Sequence, residues 1–147
     1  VNKKKVCGML TELSAELSCI NYVVIGIGIN ANMKEFPDEI KDIASSLYIE
    51  SGKQVKRAYV IEAVGRYFEK YYDAFIKAGD LSTITDEYNT MLANAGKQVR
   101  IIGNDKEEIY TAVGINPEGG LVVKDDDGNL KEIRSGEVSV RGLYGYV

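Results

Sequence analysis

The chain has 147 residues, about the length of one domain, and its 45% hydrophobic and 27% charged residues give an ordinary globular composition that excludes disordered, collagen-like and mucin-like readings. Eighteen Lys and Arg against 22 Asp and Glu leave a net charge of -4, which argues against a general nucleic-acid surface, because such surfaces carry a basic excess that releases counterions from phosphate. No apolar stretch approaches the roughly 20 residues that cross a bilayer, and the absence of His removes Ser-His-Asp and Cys-His nucleophile systems, His-ligated zinc and imidazole bases.

The chain opens with Val1-Asn2-Lys3-Lys4-Lys5, without Met or an apolar signal core, as expected of sequence that begins inside a larger protein. Residues 6–13 and 20–29 are rich in β-branched and apolar residues without a helical period, so a hairpin is expected, joined through the polar stretch that holds Glu16, Ser18 and Asn21. The second strand is apolar on both parities after Asn21, the pattern of a central strand covered on both faces. Cys7 and Cys19 have neither redox-motif nor metal-ligand spacing, and read as reduced, buried, intracellular thiols.

Residues 30–35 are polar and Pro37 breaks any regular element, so residues 38–50 read as a loop with weak helical content around Ile40, Ile43 and Leu47. Ile61, Val64, Phe68, Tyr71 and Phe75 recur at helical spacing and predict an amphipathic helix over 57–78, stopped by Gly79. Ile84, Tyr88, Met91 and Leu92 predict a second helix over 81–95, closed by Gly96. Beyond Gly96, short strands are expected at 99–102, 109–115, 121–123, 130–133 and 138–143. The turn-forming clusters Gly103-Asn104-Asp105, Asn116 to Gly120 and Asp125 to Asn129 separate them, a pattern that suggests a small SH3-like barrel. Asp125-Asp126-Asp127-Gly128 lies between strands rather than helices and reads as a solvated hairpin tip, not a calcium loop.

Three glycines draw attention to the first hairpin. Gly26-Ile27-Gly28-Ile29-Asn30-Ala31 fits the loose form of a dinucleotide fingerprint, but the chain does not pass from it into a helix and a parallel strand, so that reading is set aside. Alternate glycines in a strand leave one face without side chains, where a flat ligand could lie; tight packing or a bulge explains them as well. Asn30 would add a donor and an acceptor at the strand end, and Lys5, beside the strand that contains Gly8, suits an anion at the lip of such a trough. The competing reading of Lys5 is a solvated member of a lysine run.

Lys5-Val6-Cys7-Gly8-Met9-Leu10-Thr11-Glu12, followed by Val24-Ile25-Gly26-Ile27-Gly28-Ile29-Asn30, resembles the paired Lys-x-x-Gly-x-Leu-x-Glu and Gly-x-Gly-x-Asn strands of bacterial biotin protein ligases. Phe36-Pro37, Ala44-Ser45-Ser46-Leu47, the helix pair and Gly136-Glu137-Val138-Ser139-Val140-Arg141 resemble that family in the same order. The resemblance implies an α+β fold: residues 1–95 as the C-terminal part of the catalytic domain, with an incomplete class II synthetase-like sheet and two helices, then an SH3-like barrel over 96–147. It also implies a cytoplasmic, ATP-dependent ligase that forms biotinyl-AMP and passes biotin to a lysine of a biotin carboxyl carrier domain. ATP, biotin and magnesium would serve the full enzyme, and a homodimer is expected, with no membrane or nucleic acid as partner of this chain.

Carried over residue by residue, the resemblance makes Lys5 catalytic, Gly8, Leu10, Gly26, Ile27 and Gly28 biotin-binding, and Asn30 and Ala44 nucleotide-binding, with no metal ligand. The family's Gly-Arg-rich loop normally precedes the lysine and is not found here, so this chain by itself is expected to be inactive. The alternative is a docking or dimerisation module with no chemistry of its own.

Overall fold

A computed structural model describes residues 1–16, 19–103, 106–134 and 139–142. Two compact units divide the chain, residues 1–62 and 63–147.

The first unit opens with an antiparallel hairpin of β1 (Cys7–Glu16) and β2 (Cys19–Ile29). Its pairing runs from Cys7 opposite Ile29 to Glu16 opposite Cys19, with a register irregularity between Ser14 and Ala15. Covering on both faces is not what the structure shows. Among the described residues the sheet has two strands, and Leu10, Leu13, Ile20 and Tyr22 are exposed. The double apolar parity of β2 encodes a covered strand, and among the described residues no other strand pairs with either member of the hairpin. Cys19 is likewise exposed and Cys7 half-buried, both as free thiols, which corrects the expectation that both are buried.

After β2 the chain is irregular to residue 37, turns at Pro37–Ile40 and forms a short helix, α1 (Leu47–Ser51). Ser46 caps it, its hydroxyl oxygen accepting from the Ile49 N–H at 3.1 Å and its hydroxyl donating to the Met33 carbonyl at 2.6 Å. Asn32 ties the loop down by bonding both main-chain groups of Val55. The long helix α2 (Arg57–Ala78) has the bounds its periodicity predicts and ends where Gly79 takes φ of 81°. None of its residues is fully buried, so its apolar row is not a core face within this chain.

In the second unit α3 spans Ser82–Met91, shorter than expected because Leu92 leaves the helical region at ψ of 114°. A five-stranded antiparallel sheet follows: β3 (Gln98–Gly103), β4 (Lys106–Ile115), β5 (Leu121–Lys124), β6 (Leu130–Ile133) and β7 (Ser139–Gly142), in the order β6-β5-β4-β3-β7. Val99, Ile101, Ala112 and Val123 form its buried core, with Tyr110, Leu121 and Ile133 packed against them. Opposed pairs such as Val99 and Tyr110, or Ala112 and Val123, put these side chains on one face. No pairing joins β6 to β7 among the described residues, so no closed barrel is found among them. The motif residues 136–138, the strand end at Leu143, and Ser18, Asn104 and Asp105 lie outside the described residues.

The Asp125 cluster is a hairpin tip between β5 and β6. Its first carboxylate accepts from the Asn129 N–H at 2.8 Å and from the Asn129 side chain at 3.0 Å. Among the described residues no helix is long and apolar enough to cross a membrane.

Candidate functional site

Residues directly opposite in an antiparallel pair share a face, and the register sets Gly8 against Gly28 and Leu10 against Gly26. Three of these four positions carry no side chain, so one face of the hairpin has a floor of bare main chain with Leu10 at one corner. A Cβ at Gly28 would meet only the Gly8 carbonyl oxygen, and one at Gly26 only that of Leu10, each at 3.7 Å. The floor is therefore open above the backbone. Met9, Thr11, Ile25 and Ile27 belong to the other face.

Lys5 reaches across this floor from just before β1. A Cβ at Gly8 would lie 3.5 Å from Lys5 Cε and 3.6 Å from Nζ, which places the ammonium directly over Gly8. Its main chain is held by a parallel bridge to Ala44: the Lys5 N–H donates to the Ile43 carbonyl at 2.8 Å, and the Ser45 N–H donates to the Lys5 carbonyl at 3.0 Å. The other two lysines of the run differ. Lys4 Nζ donates to the Lys41 carbonyl at 3.0 Å, and Lys3 sits in a left-handed turn at φ of 62°.

Asn30 is fixed from the opposite side. Its N–H donates to the Val6 carbonyl at 2.8 Å, its carbonyl accepts from the Leu47 N–H at 2.9 Å, and its Nδ2 donates to the Ser45 carbonyl at 3.0 Å. The segment 43–47 is thus threaded between Lys5 and Asn30 by main-chain hydrogen bonds. The structure brings Lys5, Gly8, Gly28, Asn30 and Ala44 to one end of the hairpin, with Gly26 and Leu10 next along the floor. It does not bring Ile27 there, whose side chain points to the reverse face. The strand reading of Gly26 and Gly28, rather than a turn before a helix, also holds.

Two polar residues at this end had no role in the sequence reading. Ser45 is fully buried, and its hydroxyl donates to the Glu50 carboxylate. Glu50 also accepts from Asn2 Nδ2 at 2.5 Å, and the Ser45 bond first, then the Asn2 bond, hold its carboxyl below the usual range. The adjacent serines before an apolar residue signal a helix cap at Ser46; nothing in the linear pattern signals the contact from Ser45 to Glu50.

A bare main-chain floor with a lysine ammonium over one end and an asparagine beside it suits a carboxylate or phosphate ligand. Residues 95–141 match the biotin protein ligase C terminal domain family. The chain is 36% identical over 142 residues to the bifunctional ligase/repressor BirA of Bacillus spizizenii, covering 95% of this chain and 43% of that protein. It is 25% identical to the Escherichia coli protein of the same name over 138 residues, 94% of this chain and 42% of the relative. The chain therefore spans less than half the length of these curated relatives.

Among solved structures, apo biotin protein ligase from Aquifex aeolicus superposes with a TM-score of 0.81 at 32% identity, over 97% of this chain and 61% of that one. The same enzyme in complex with biotin and ATP gives 0.79 at 33% identity, over 95% and 57%. Over nearly its whole length the chain is thus similar to part of the biotin protein ligases, the family its motifs resemble.

Proposed function

We propose that this chain forms one wall of the active site of an ATP-dependent biotin protein ligase, and that the glycine floor under the Lys5 ammonium receives the reacting end of biotin. The placement of Lys5 over Gly8 carries this reading. A solved relative that binds biotin and ATP supports the pairing of substrates.

In the reaction proposed, a biotin carboxylate oxygen attacks the α-phosphorus of ATP. The new O–P bond forms as the bond to the β-phosphate oxygen breaks, giving biotinyl-AMP and pyrophosphate. Lys5 draws the two anions together and offsets the charge that builds on the α-phosphate, an effect that grows where water is excluded. Gly8, Leu10, Gly26, Ile27 and Gly28 line the biotin side; Ile27 would act through its main chain, since its side chain faces away. Asn30 and Ala44 border the nucleotide. In the second half-reaction a neutral lysine amine of a biotin carboxyl carrier domain attacks the acyl carbon, AMP leaves, and the amine's proton passes to solvent. Magnesium would be carried on the nucleotide's phosphates rather than in a cage of protein ligands; among the described residues no group of three or more Cys, Asp or Glu is placed to hold a metal ion, and no step is assigned to one.

The same reading makes the hairpin part of a class II synthetase-like sheet and the β3–β7 sheet an SH3-like barrel. The register irregularity between Ala112 and Gly114 supports the latter, since bulges bend strands at barrel corners. We place the ligase in the cytoplasm and infer a homodimer, which the open hairpin favours. The chain by itself should be inactive because it supplies only one wall. The test is biotin-dependent release of pyrophosphate from ATP, with transfer of biotin to a carrier domain, by the whole ligase. Absence of biotin-dependent pyrophosphate release overturns the reading.

A further inference from the structure

The hydrogen bonds around Ala44 extend beyond the residues assigned above and end on a carboxylate outside them. Ser45 stands at the junction. Its N–H donates to Lys5, its carbonyl accepts from Asn30, and its hydroxyl donates to Glu50. The residue is fully buried, so its hydroxyl has no recourse to solvent if that acceptor is lost.

Glu50 in turn holds a second segment. Its other oxygen accepts from Asn2, three residues before Lys5. Both stretches of chain that frame Lys5 are therefore bonded to one carboxylate, its own leading segment through Asn2 and its bridge partner through Ser45. Glu50 is itself well anchored, because α1 is capped by Ser46, whose hydroxyl is also bonded to Met33, and is closed by the Gly52 N–H on the Tyr48 carbonyl. Bonds to an ionised acceptor are shorter and stronger than neutral ones, and the Ser45 and Asn2 bonds in turn lower the Glu50 pKa.

We propose that Glu50 is a positioning residue of the ligase site: by clamping Ser45 and Asn2 it fixes the main chain of Lys5 and Asn30, and so keeps the ammonium over Gly8. The inference rests on the ligase reading of Lys5. It assigns Glu50 no contact with substrate.

Adenylate formation by the whole ligase, measured for Glu50→Ala, Glu50→Gln and Glu50→Asp with and without Lys5→Ala, tests the role. Glu50→Ala should slow the step by about tenfold to a hundredfold, the scale of a misplaced catalytic group. Glu50→Gln should recover part of the rate, since its carboxamide oxygen still accepts from Ser45 while its NH2 cannot accept from Asn2. In the Lys5→Ala background the loss should shrink to within about twofold, because the placement of an absent ammonium has no effect. Amide hydrogen exchange on this chain should show the Lys5 and Ser45 N–H groups opening faster in Glu50→Ala and unchanged in a Glu39→Ala control.

A wild-type rate for Glu50→Ala overturns the inference, as does an equal fold loss with and without Lys5, which marks a purely structural effect. If Glu50→Ala does not fold, Glu50→Asp is read by the same dependence on Lys5. A wild-type rate for Lys5→Ala instead overturns the ligase reading of Lys5, and the positioning role falls with it.

Discussion

The carboxamide of Asn89 grips both main-chain groups of Ile115, Oδ1 accepting from its N–H at 2.8 Å and Nδ2 donating to its carbonyl at 3.1 Å. This clasp joins α3 to β4 beside the register irregularity, where the sheet's own ladder is interrupted. Asn89→Ala should destabilise the second unit by about 1–3 kcal/mol, the cost of leaving half-buried main-chain groups without partners. Thermal unfolding of the variant checks it.

The clasp also explains Gly114. A Cβ there would lie 2.8 Å from the Asn89 carboxamide, closer than real Cβ atoms come. Gly114→Ala should therefore cost about 1–3 kcal/mol in the native background and less when Asn89 is already Ala, a non-additivity that a double-mutant cycle measures.

Lys5 separates from its neighbours by geometry. In the ligase proposed above, Lys5→Ala should slow adenylate formation by about a hundredfold to a thousandfold, the usual loss for one electrostatic contact to developing charge. Lys3→Ala and Lys4→Ala should change it little, since exposed charges are screened. Lys5→Arg should rescue only in part, because a planar fork does not fit the position of a compact ammonium. Single-turnover kinetics with equal, small effects at all three lysines would reduce the run to a solvated patch.

The hairpin tip predicts an acid sensitivity. Asp125 accepts from the Asn129 side chain first and then from the Asn129 N–H, and these bonds hold its carboxyl below the ordinary 3.8. A carboxyl lowered on folding contributes stability that is present above its unfolded value and lost as pH falls through the folded one. The stability difference between wild type and Asp125→Ala should thus be constant near neutrality and shrink below about pH 4. A difference that grows on acidification would contradict the assignment.

Self-association is expected of the isolated chain. Leu13, Ile20 and Tyr22 are 60%, 66% and 62% exposed in a sheet that has two strands among the described residues, and a second copy can extend its edge. Sedimentation should show concentration-dependent dimers that Leu13→Lys with Tyr22→Lys suppresses. A strictly monomeric species for the wild-type chain would count against it.

How much of this was readable in advance depended on the range of the interaction. The bounds of α2 and the run of short strands after Gly96 follow from local period and turn chemistry, and both appear in the sequence. The motif spacing also located Lys5 and the alternate glycines. What it could not supply was sidedness or long-range pairing. Ile27 sits in the same motif as Gly26 and Gly28 yet faces away from them, a matter of strand parity. Ser45 and Glu50 meet Lys5 through contacts made only after folding, and no periodicity marks them. The burial expected for β2 and α2 depends on partners that this chain's described residues do not provide.

A boundary at residue 96, expected from the sequence, falls inside the compact unit of residues 63–147 and can be tested directly. A chain of residues 96–147 should unfold cooperatively, since its strands are contiguous and paired by local turns. Extending it back to residue 80 should raise the melting temperature, because the Leu81 N–H bonds the Pro117 carbonyl and Asn89 clasps Ile115. Absence of a cooperative transition in the shorter chain would move the boundary.

The glycine floor exists only because Gly8 opposes Gly28 and Leu10 opposes Gly26. Side chains alternate faces with a period of two, so sliding β1 by one residue would set Ile25, Ile27 and Ile29 beneath Lys5 and fill the trough. The irregularity at Ser14 and Ala15 lies between that floor and the end of the hairpin, and absorbs one residue of offset. A single insertion or deletion that this irregularity did not absorb would leave every motif residue present while erasing the site, making the floor a matter of counting as much as of composition.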